Sequence, residues 1–219
     1  MAKTEIATSG GGTMSVANTS SLIQDSGSED FSLPELHLFQ DVGNESDTYG
    51  DHDKGVWVNS LTNEPVDTSE IIPVVAQKQT VVWHHRDSGN KGLAGVYMTR
   101  ADVPDAYIES NGSQYDIVDY VNLIAIVVSE PDLPFLIRHK SSALSAIRTL
   151  NTLEMGRSNI GRGRGMYALK SKQKSNDQGK WFIPQYVPAG DASEEMIRMA
   201  VTFASMFGER SIPHEEIPI

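Results

Sequence analysis

Cysteine is absent from the 219-residue sequence, and long apolar runs are missing as well. The lack of cysteine excludes a disulfide framework, a thiolate metal site and a cysteine nucleophile. No segment reaches the roughly 18 to 20 apolar residues that a membrane-spanning helix needs, so we expect no membrane partner. Aromatic residues make up 7% and hydrophobic residues 39% of the chain. This low share predicts that part of the chain lies outside any packed core.

Motifs of catalysis and of cofactor binding are also missing. The six histidines show no HExxH or other metal-ligand spacing. No G-x-S-x-G nucleophile elbow occurs. Residues 156–163, GRSNIGRG, lack the Lys followed by Ser or Thr that a P-loop requires. We therefore expect neither an enzyme nor a protein with a metal or other cofactor.

Charge is distributed unevenly along the chain. Overall, 18 basic and 29 acidic residues give a net charge of -11, which by itself argues against a nucleic-acid partner. Residues 1–70 alone carry -11, and residues 71–135 and 181–219 carry -4 each. Residues 136–180 reverse the sign, because ten bases against two acids give +8. The sequence therefore contains one strongly basic block within an acidic chain.

Composition divides the chain into three parts. Residues 1–30 are rich in Ser, Thr, Gly and acids, which predicts a disordered acidic leader. Residues 31–207 contain the periodic apolar segments and form the predicted folded domain. Residues 208–219 predict an acidic, flexible tail. The first residues contain no apolar stretch typical of a signal peptide, so we expect a cytosol-like location.

Segments rich in β-branched residues dominate the predicted domain and indicate strands. They are 56–58, 71–83, 92–98, 115–128 and 135–139, followed by 166–174 and 179–187, which a short turn joins. Segment 115–128 is the most apolar and predicts a central strand with 135–139 as its hairpin partner. Gln77, Lys78 and Gln79 interrupt the apolar pattern of their strand and predict an exposed face.

Two segments have the period of a helix instead. Steps of three between Leu144, Ile147, Leu150 and Leu153 predict an amphipathic helix over 141–154. Apolar residues with helical spacing predict a second helix over 193–207. We therefore predict a mainly β, α+β domain with one inserted and one carboxyl-terminal helix, built as an OB-like barrel or as a curved antiparallel sheet.

The basic block combines cations with aromatic residues. Proteins bind single-stranded nucleic acid with cations that follow the phosphates and with flat rings that stack on bases. The candidate phosphate contacts are Arg138, Lys140, Arg162, Arg164, Lys170, Lys172, Lys174 and Lys180. The candidate stacking residues are Tyr167, Trp181, Tyr186 and Trp83. The alternative is a solvated edge strand whose lysines prevent aggregation, with the aromatic residues in the core.

The order of three segments, LPELHLFQ, GVWVNSLTNE and IIPVVAQKQTVVW, resembles a group of phage-encoded single-stranded DNA-binding proteins. The resemblance extends over roughly Leu33 to Phe207. It implies an OB-like fold that binds and protects single-stranded DNA without sequence preference. It also implies a role in phage replication or recombination in the host cytoplasm.

The last five residues are Glu215, Glu216, Ile217, Pro218 and Ile219. They resemble the acidic tip of bacterial single-stranded DNA-binding proteins, which docks genome-maintenance enzymes. The resemblance implies that this tip recruits replication or recombination enzymes. The sequence departs from that family because it ends in Ile instead of Phe and has two acids in the tip.

Two other functions fit parts of the same sequence. An acidic amino-terminal segment before a β core also suits a phage virion or scaffold-like interaction protein. The charge of -11 in residues 1–70 suits an acidic DNA mimic that inhibits another protein. A homo-oligomer is compatible with each of these functions, and the sequence does not choose among oligomeric states.

Overall fold

The computed structural model describes residues 33–42, 45–157, 164–177 and 179–207. The predicted leader, residues 1–30, and the predicted tail, residues 208–219, both lie outside these residues. The described part contains eight strands and four α-helices. None of these helices has both the length and the apolar character needed to cross a membrane.

The strands occupy the positions that the sequence predicts, with β1 in addition. They are β1 (Leu36–Leu38), β2 (Trp57–Asn59), β3 (Ile71–His84), β4 (Leu93–Tyr97), β5 (Tyr115–Val127), β6 (Glu130–Lys140), β7 (Gly165–Asn176) and β8 (Gly179–Asp191). The helices are α1 (Glu45–Tyr49), α2 (Asp105–Glu109), α3 (Leu144–Gly156) and α4 (Glu194–Phe207). Both predicted long helices, α3 and α4, are confirmed.

The main sheet is antiparallel and open. Its strands follow the order β6-β5-β3-β7-β8, and β4 pairs with β3 beside that path. The strands β1 and β2 form a separate two-stranded sheet. Among the described strands, β6 and β8 do not pair with each other, so the sheet does not close into a barrel. The predicted α+β class is confirmed. Of the two predicted forms, an OB-like barrel and a curved antiparallel sheet, the described strands form the antiparallel sheet.

Side chains bring the two end strands of this path together. In a flat sheet, four strand spacings would hold β6 and β8 about 19 Å apart. Instead, the Tyr186 hydroxyl on β8 lies 2.8 Å from Nε2 of His139 on β6, and both residues are buried. The sheet must therefore curve strongly, because no flat arrangement allows this contact.

Strand β5 is buried on both faces, which explains its long apolar run. Leu123, Ala125 and Val127 belong to the core that includes α3 residues Ala146 and Ile147. The alternate residues Ile124 and Ile126 are also fully buried, on the opposite face of the sheet. Ile126 there packs in one cluster with α4. The sheet is thus covered by α3 on one face and by α4 on the other.

The segment around β1 covers the edges of both end strands. The Leu136 N–H of β6 donates to the Pro34 carbonyl at 2.8 Å. At β8, the Gln40 side chain accepts from the Phe182 N–H at 2.7 Å and donates to the Phe182 carbonyl at 2.9 Å. These bonds use backbone groups that an edge strand would otherwise present to another chain.

Candidate nucleic-acid interface

The predicted basic surface is built on the β7–β8 ribbon. The two strands pair without interruption from Tyr167 opposite Pro188 to Asn176 opposite Gly179. Strand β7 pairs with β3 at one position, where Tyr167 lies opposite Ile71. Residues near that pair are buried, whereas β7 is mostly exposed from Lys170 onward. The outer half of the ribbon is therefore an arm whose β7 strand is exposed, whereas Ile183 and Pro184 of β8 stay buried.

Three lysines form a row on one face of this arm. Lys170, Lys172 and Lys174 are exposed, and their alternate positions on a strand place them on the same face. Within the described residues, no carboxylate lies within ion-pair distance of any of them, although other cations do have such partners. Their positive charge is therefore not compensated by a local ion pair.

The opposite face of the ribbon is covered by the chain itself. Ser171 and Phe182 lie beside Gly55, where a Cβ would come within 2.9 Å of the Ser171 hydroxyl and 2.8 Å of the Phe182 ring. Gly55 has a φ of +87°, which glycine adopts without the strain of other residues. On the other face the three lysine side chains are exposed, although Ile183, which pairs with Lys172, is buried there.

Trp181 lies at the outer end of the lysine row. It pairs directly with Lys174 in the β7–β8 register, and directly opposed residues share a face. Its indole is partly exposed, and its N–H donates to the Ser142 hydroxyl at 3.2 Å. Together with Asn176, Gly179 and Lys180 it lines a shallow surface cavity. The lysine row thus ends at an aromatic ring with one fixed edge.

Two other predicted residues, Lys140 and Trp83, both contact Tyr120. Lys140, two residues before Ser142, is exposed, and its Nζ lies 6.0 Å from the centre of the Tyr120 ring. Burial raises the pKa of Tyr120, and a hydrogen bond from the Trp83 indole opposes that rise. Trp83 itself is partly exposed. The Trp181–Ser142 hydrogen bond therefore connects the ribbon to the strand end that carries Lys140.

The predicted arginines have structural partners. Arg138 is largely buried, and its Nε lies 2.8 Å from the Glu35 carboxylate, which also lies largely out of solvent. Arg164 forms an ion pair with Glu194 at 3.4 Å, at the start of α4. Arg162 lies outside the described residues. In this structure, neither Arg138 nor Arg164 carries uncompensated charge comparable with that of the lysine row.

Two predicted stacking residues lie in the core. Tyr167 is fully buried and donates to the Glu154 carboxylate at 2.6 Å, and burial together with that carboxylate raises its pKa. Tyr186 is 4% exposed and bonds to His139, and burial raises its pKa as well. Neither ring has a free face on which a base could stack.

A row of aromatic rings that the sequence does not predict lies at the other end of β3. His84, Tyr115, Tyr107 and Tyr97 form a row with ring centres 5.3, 4.6 and 6.3 Å apart in that order. Acidic residues occupy the same segments, namely Asp102, Asp105, Glu109, Asp116 and Asp119. These carboxylates make the row a poor surface for phosphates. No spacing in the sequence indicates this row, because Tyr107 of α2 meets Tyr115 of β5 only in the folded chain.

Two further predictions concern metal binding and the carboxyl-terminal tip. In the part of the chain that the structure describes, no cluster of three or more His, Asp or Glu side chains could hold a metal ion. The predicted partner-binding tip, Glu215, Glu216, Ile217, Pro218 and Ile219, lies outside that part. Its proposed docking role stays a prediction.

Comparisons with known proteins give one finding. A family model described as Pam3 phage gp34-like protein matches residues 14–213. Neither the curated proteins nor the solved structures give a match. The family match includes every described strand and helix, from β1 to α4. The chain therefore belongs to the Pam3 phage gp34-like family, a family of phage proteins.

Proposed function

We propose that the protein binds single-stranded DNA without sequence preference during phage replication or recombination, in the host cytoplasm. The observation that carries the proposal is the exposed row Lys170, Lys172 and Lys174, which ends opposite Trp181. A row of cations beside a partly exposed indole has the two elements of a single-strand binding surface.

The spacing of the row suits an extended strand. Alternate residues of a β-strand lie about 6.8 Å apart, so three lysines offer charges at regular intervals along the ribbon. Successive phosphates of an extended nucleic acid strand are separated by a comparable distance. Each phosphate can therefore approach one ammonium group without a change in the ribbon.

The absence of local ion pairs makes these charges effective. A lysine that already pairs with a carboxylate would have to lose that partner before it could bind a phosphate. Within the described residues, the three lysines of the row have no such partner, and the acidic charge of the chain is concentrated elsewhere. Phosphate binding there releases counterions from the DNA without breaking an ion pair in the protein.

Trp181 supports a preference for single strands over duplex. A base can stack on an indole only when it has left its own stack, which costs little in a single strand and more in a duplex. The Ser142 hydrogen bond fixes one edge of the ring, so less side-chain freedom is lost on binding. Lys140, exposed two residues before Ser142, adds a cation to the segment that holds the indole.

The experiment is a fluorescence anisotropy titration of the full chain against a labelled oligothymidylate at a series of salt concentrations. We expect binding at low salt, with the logarithm of the association constant falling linearly with the logarithm of salt concentration. A duplex of the same length serves as the competitor. No binding at low salt, or an affinity that salt does not change, contradicts the proposal. No binding at low salt favours the virion or mimic alternatives, which require no affinity for DNA.

Replacing Trp181 by alanine is expected to weaken binding to the oligothymidylate by about 1 to 3 kcal/mol, the range for loss of one base-stacking contact. Trp181→Phe is the matched control, because it keeps a flat ring and removes the indole N–H. The titration above measures both variants, and the salt slope should stay unchanged in each. Equal affinity for Trp181→Ala and the unaltered chain would show that no base stacks at this position.

A further inference from the structure

Strand β7 carries the lysine row, and hydrogen bonds attach the base of this strand to the start of β3. Tyr167 pairs there with Ile71. Next to that pair, the Leu169 N–H donates to the Thr68 carbonyl at 2.9 Å, and the Thr68 hydroxyl donates to the Leu169 carbonyl at 2.7 Å. These contacts all precede Lys170, the first lysine of the row. The base is therefore where β7 itself is joined to the main sheet.

The end of α3 adds a network of side chains to this base. The Tyr167 hydroxyl donates to the Glu154 carboxylate at 2.6 Å. The Arg157 guanidinium lies 5.5 Å from the centre of the Tyr167 ring. The same guanidinium donates to the Gly190 carbonyl at 2.7 Å and forms an ion pair with Asp191, both at the end of β8. The network thus joins α3, β7 and β8 at the base of the ribbon.

The bond between Tyr167 and Glu154 is the strongest contact of this network. Tyr167 is fully buried, and a hydrogen bond to a carboxylate is about twice as strong as one between neutral groups. Burial and the carboxylate both raise the pKa of Tyr167, so the hydroxyl keeps the proton that it donates. The ion pair between Arg157 and Asp191 contributes less, because the Asp191 side chain is 57% exposed.

Gly165, the first residue of β7, leaves the space in which this bond forms. A Cβ at Gly165 would lie 2.6 Å from a Glu154 carboxylate oxygen and 2.7 Å from the Tyr167 hydroxyl oxygen. A larger residue would therefore push the two bonded groups apart, and glycine in a strand often marks such a close approach. Within the described residues, a Cβ at Gly156, the last residue of α3, would meet no atom within 4 Å.

We infer that Glu154 and Arg157 are positioning residues for DNA binding, which hold the lysine row in its binding orientation through Tyr167 and the base of the ribbon. This inference rests on the proposed function. A surface that is ordered before DNA arrives binds more tightly, because binding then incurs no cost of ordering it. Without the network, the same lysines would contact the same phosphates, but with lower affinity. Arg157, one of the ten bases of the basic block, thus acts through its protein contacts.

Gly165→Ala should lower the affinity for the oligothymidylate by about 10-fold at about 0.1 M salt, and it should leave the salt slope unchanged, because the same phosphates are contacted. Gly156→Ala is the matched control and should bind as tightly as the unaltered chain. Urea denaturation checks that both variants are folded under the conditions of the titration. Equal affinities of the two variants, or a lower salt slope in Gly165→Ala, overturn the inference.

A distance measurement without DNA separates this inference from the proposed function. Because the chain has no cysteine, nitroxide labels can be attached to Ser175→Cys near the ribbon tip and Thr149→Cys on α3, both exposed positions. The distance distribution from pulsed electron paramagnetic resonance should be broader in Gly165→Ala than in Gly156→Ala. Arg157→Ala, which removes the cation without adding an atom, should broaden it as well. Unchanged distributions overturn the inference, whereas an unaltered chain that does not bind the oligothymidylate contradicts the proposed function.

Discussion

Replacing Lys170, Lys172 and Lys174 together by alanine is expected to lower the affinity for single-stranded DNA by about 100-fold at about 0.1 M salt. Each phosphate neutralised on a single strand contributes about 0.7 to the salt slope, so three contacts contribute about 2. The variant should therefore show both the lower affinity and a salt slope reduced by about 2. Anisotropy titrations of the variant and the unaltered chain across a salt series measure both quantities.

A matched triple variant separates local contacts from net charge. Lys78, Lys91 and Arg198 are exposed and lie outside the β7–β8 ribbon, so their replacement by alanine lowers the net charge by the same amount. We expect this variant to lose much less affinity and to keep most of the salt slope. Equal losses in both triple variants would mean that the ribbon contributes no specific phosphate contacts. Circular dichroism of both variants should match that of the unaltered chain, since all six side chains are exposed.

The agreement between sequence and fold has a local origin. The apolar run of β5 and the three-residue steps of α3 are patterns that neighbouring residues produce by themselves. The lysine row is equally local, because the side chains of a strand alternate whatever the strand packs against. These features were therefore predictable. The paths of the end strands, which meet through His139 and Tyr186, depend on the curvature of the whole sheet and have no local pattern.

Tertiary contacts also decide which candidate site residues remain accessible. Arg138 meets Glu35 across 103 positions of sequence, a pairing that no spacing rule reveals. Gln79 was expected on an exposed face, but it is 2% exposed and accepts a hydrogen bond from Asn122 of β5 at 2.7 Å. Lys78 beside it is exposed as predicted. A polar side chain in a strand is thus compatible with burial when a neighbouring strand supplies its hydrogen-bond partner.

The buried His139 makes the contact between β6 and β8 sensitive to pH. Its Nδ1 lies 3.2 Å from the Val121 carbonyl oxygen, which can only accept a hydrogen bond. Nδ1 therefore carries the proton in the neutral ring, and Nε2 accepts from the Tyr186 hydroxyl at 2.8 Å. Protonation of Nε2 would remove that acceptor and place a charge in the core. Burial accordingly lowers the pKa of His139 from 6.5 to about 4, although backbone hydrogen bonds oppose the shift.

This shift predicts a loss of stability as the pH falls. The pKa of His139 is lower in the folded chain than in the unfolded chain, so the unfolded chain binds more protons between pH 6.5 and about pH 4. The stabilising contribution is complete above pH 6.5 and is lost as the pH falls towards about 4. We expect the free energy of unfolding to fall by about 2 kcal/mol between about pH 7 and about pH 5 on account of this residue. Urea denaturation at both pH values measures the change.

His139→Gln distinguishes this residue from other groups that titrate in the same range. Glutamine does not titrate and retains both a donor and an acceptor for Val121 and Tyr186. The test is how the free energy of unfolding of the variant depends on pH. This dependence should be flatter than that of the unaltered chain by the contribution of one histidine. If both proteins lose stability equally between about pH 7 and about pH 5, then His139 is not the residue responsible. A flatter curve in the variant would show that the curved sheet is held together through a neutral imidazole, because a charged ring could not accept the Tyr186 hydrogen bond that connects β8 to β6.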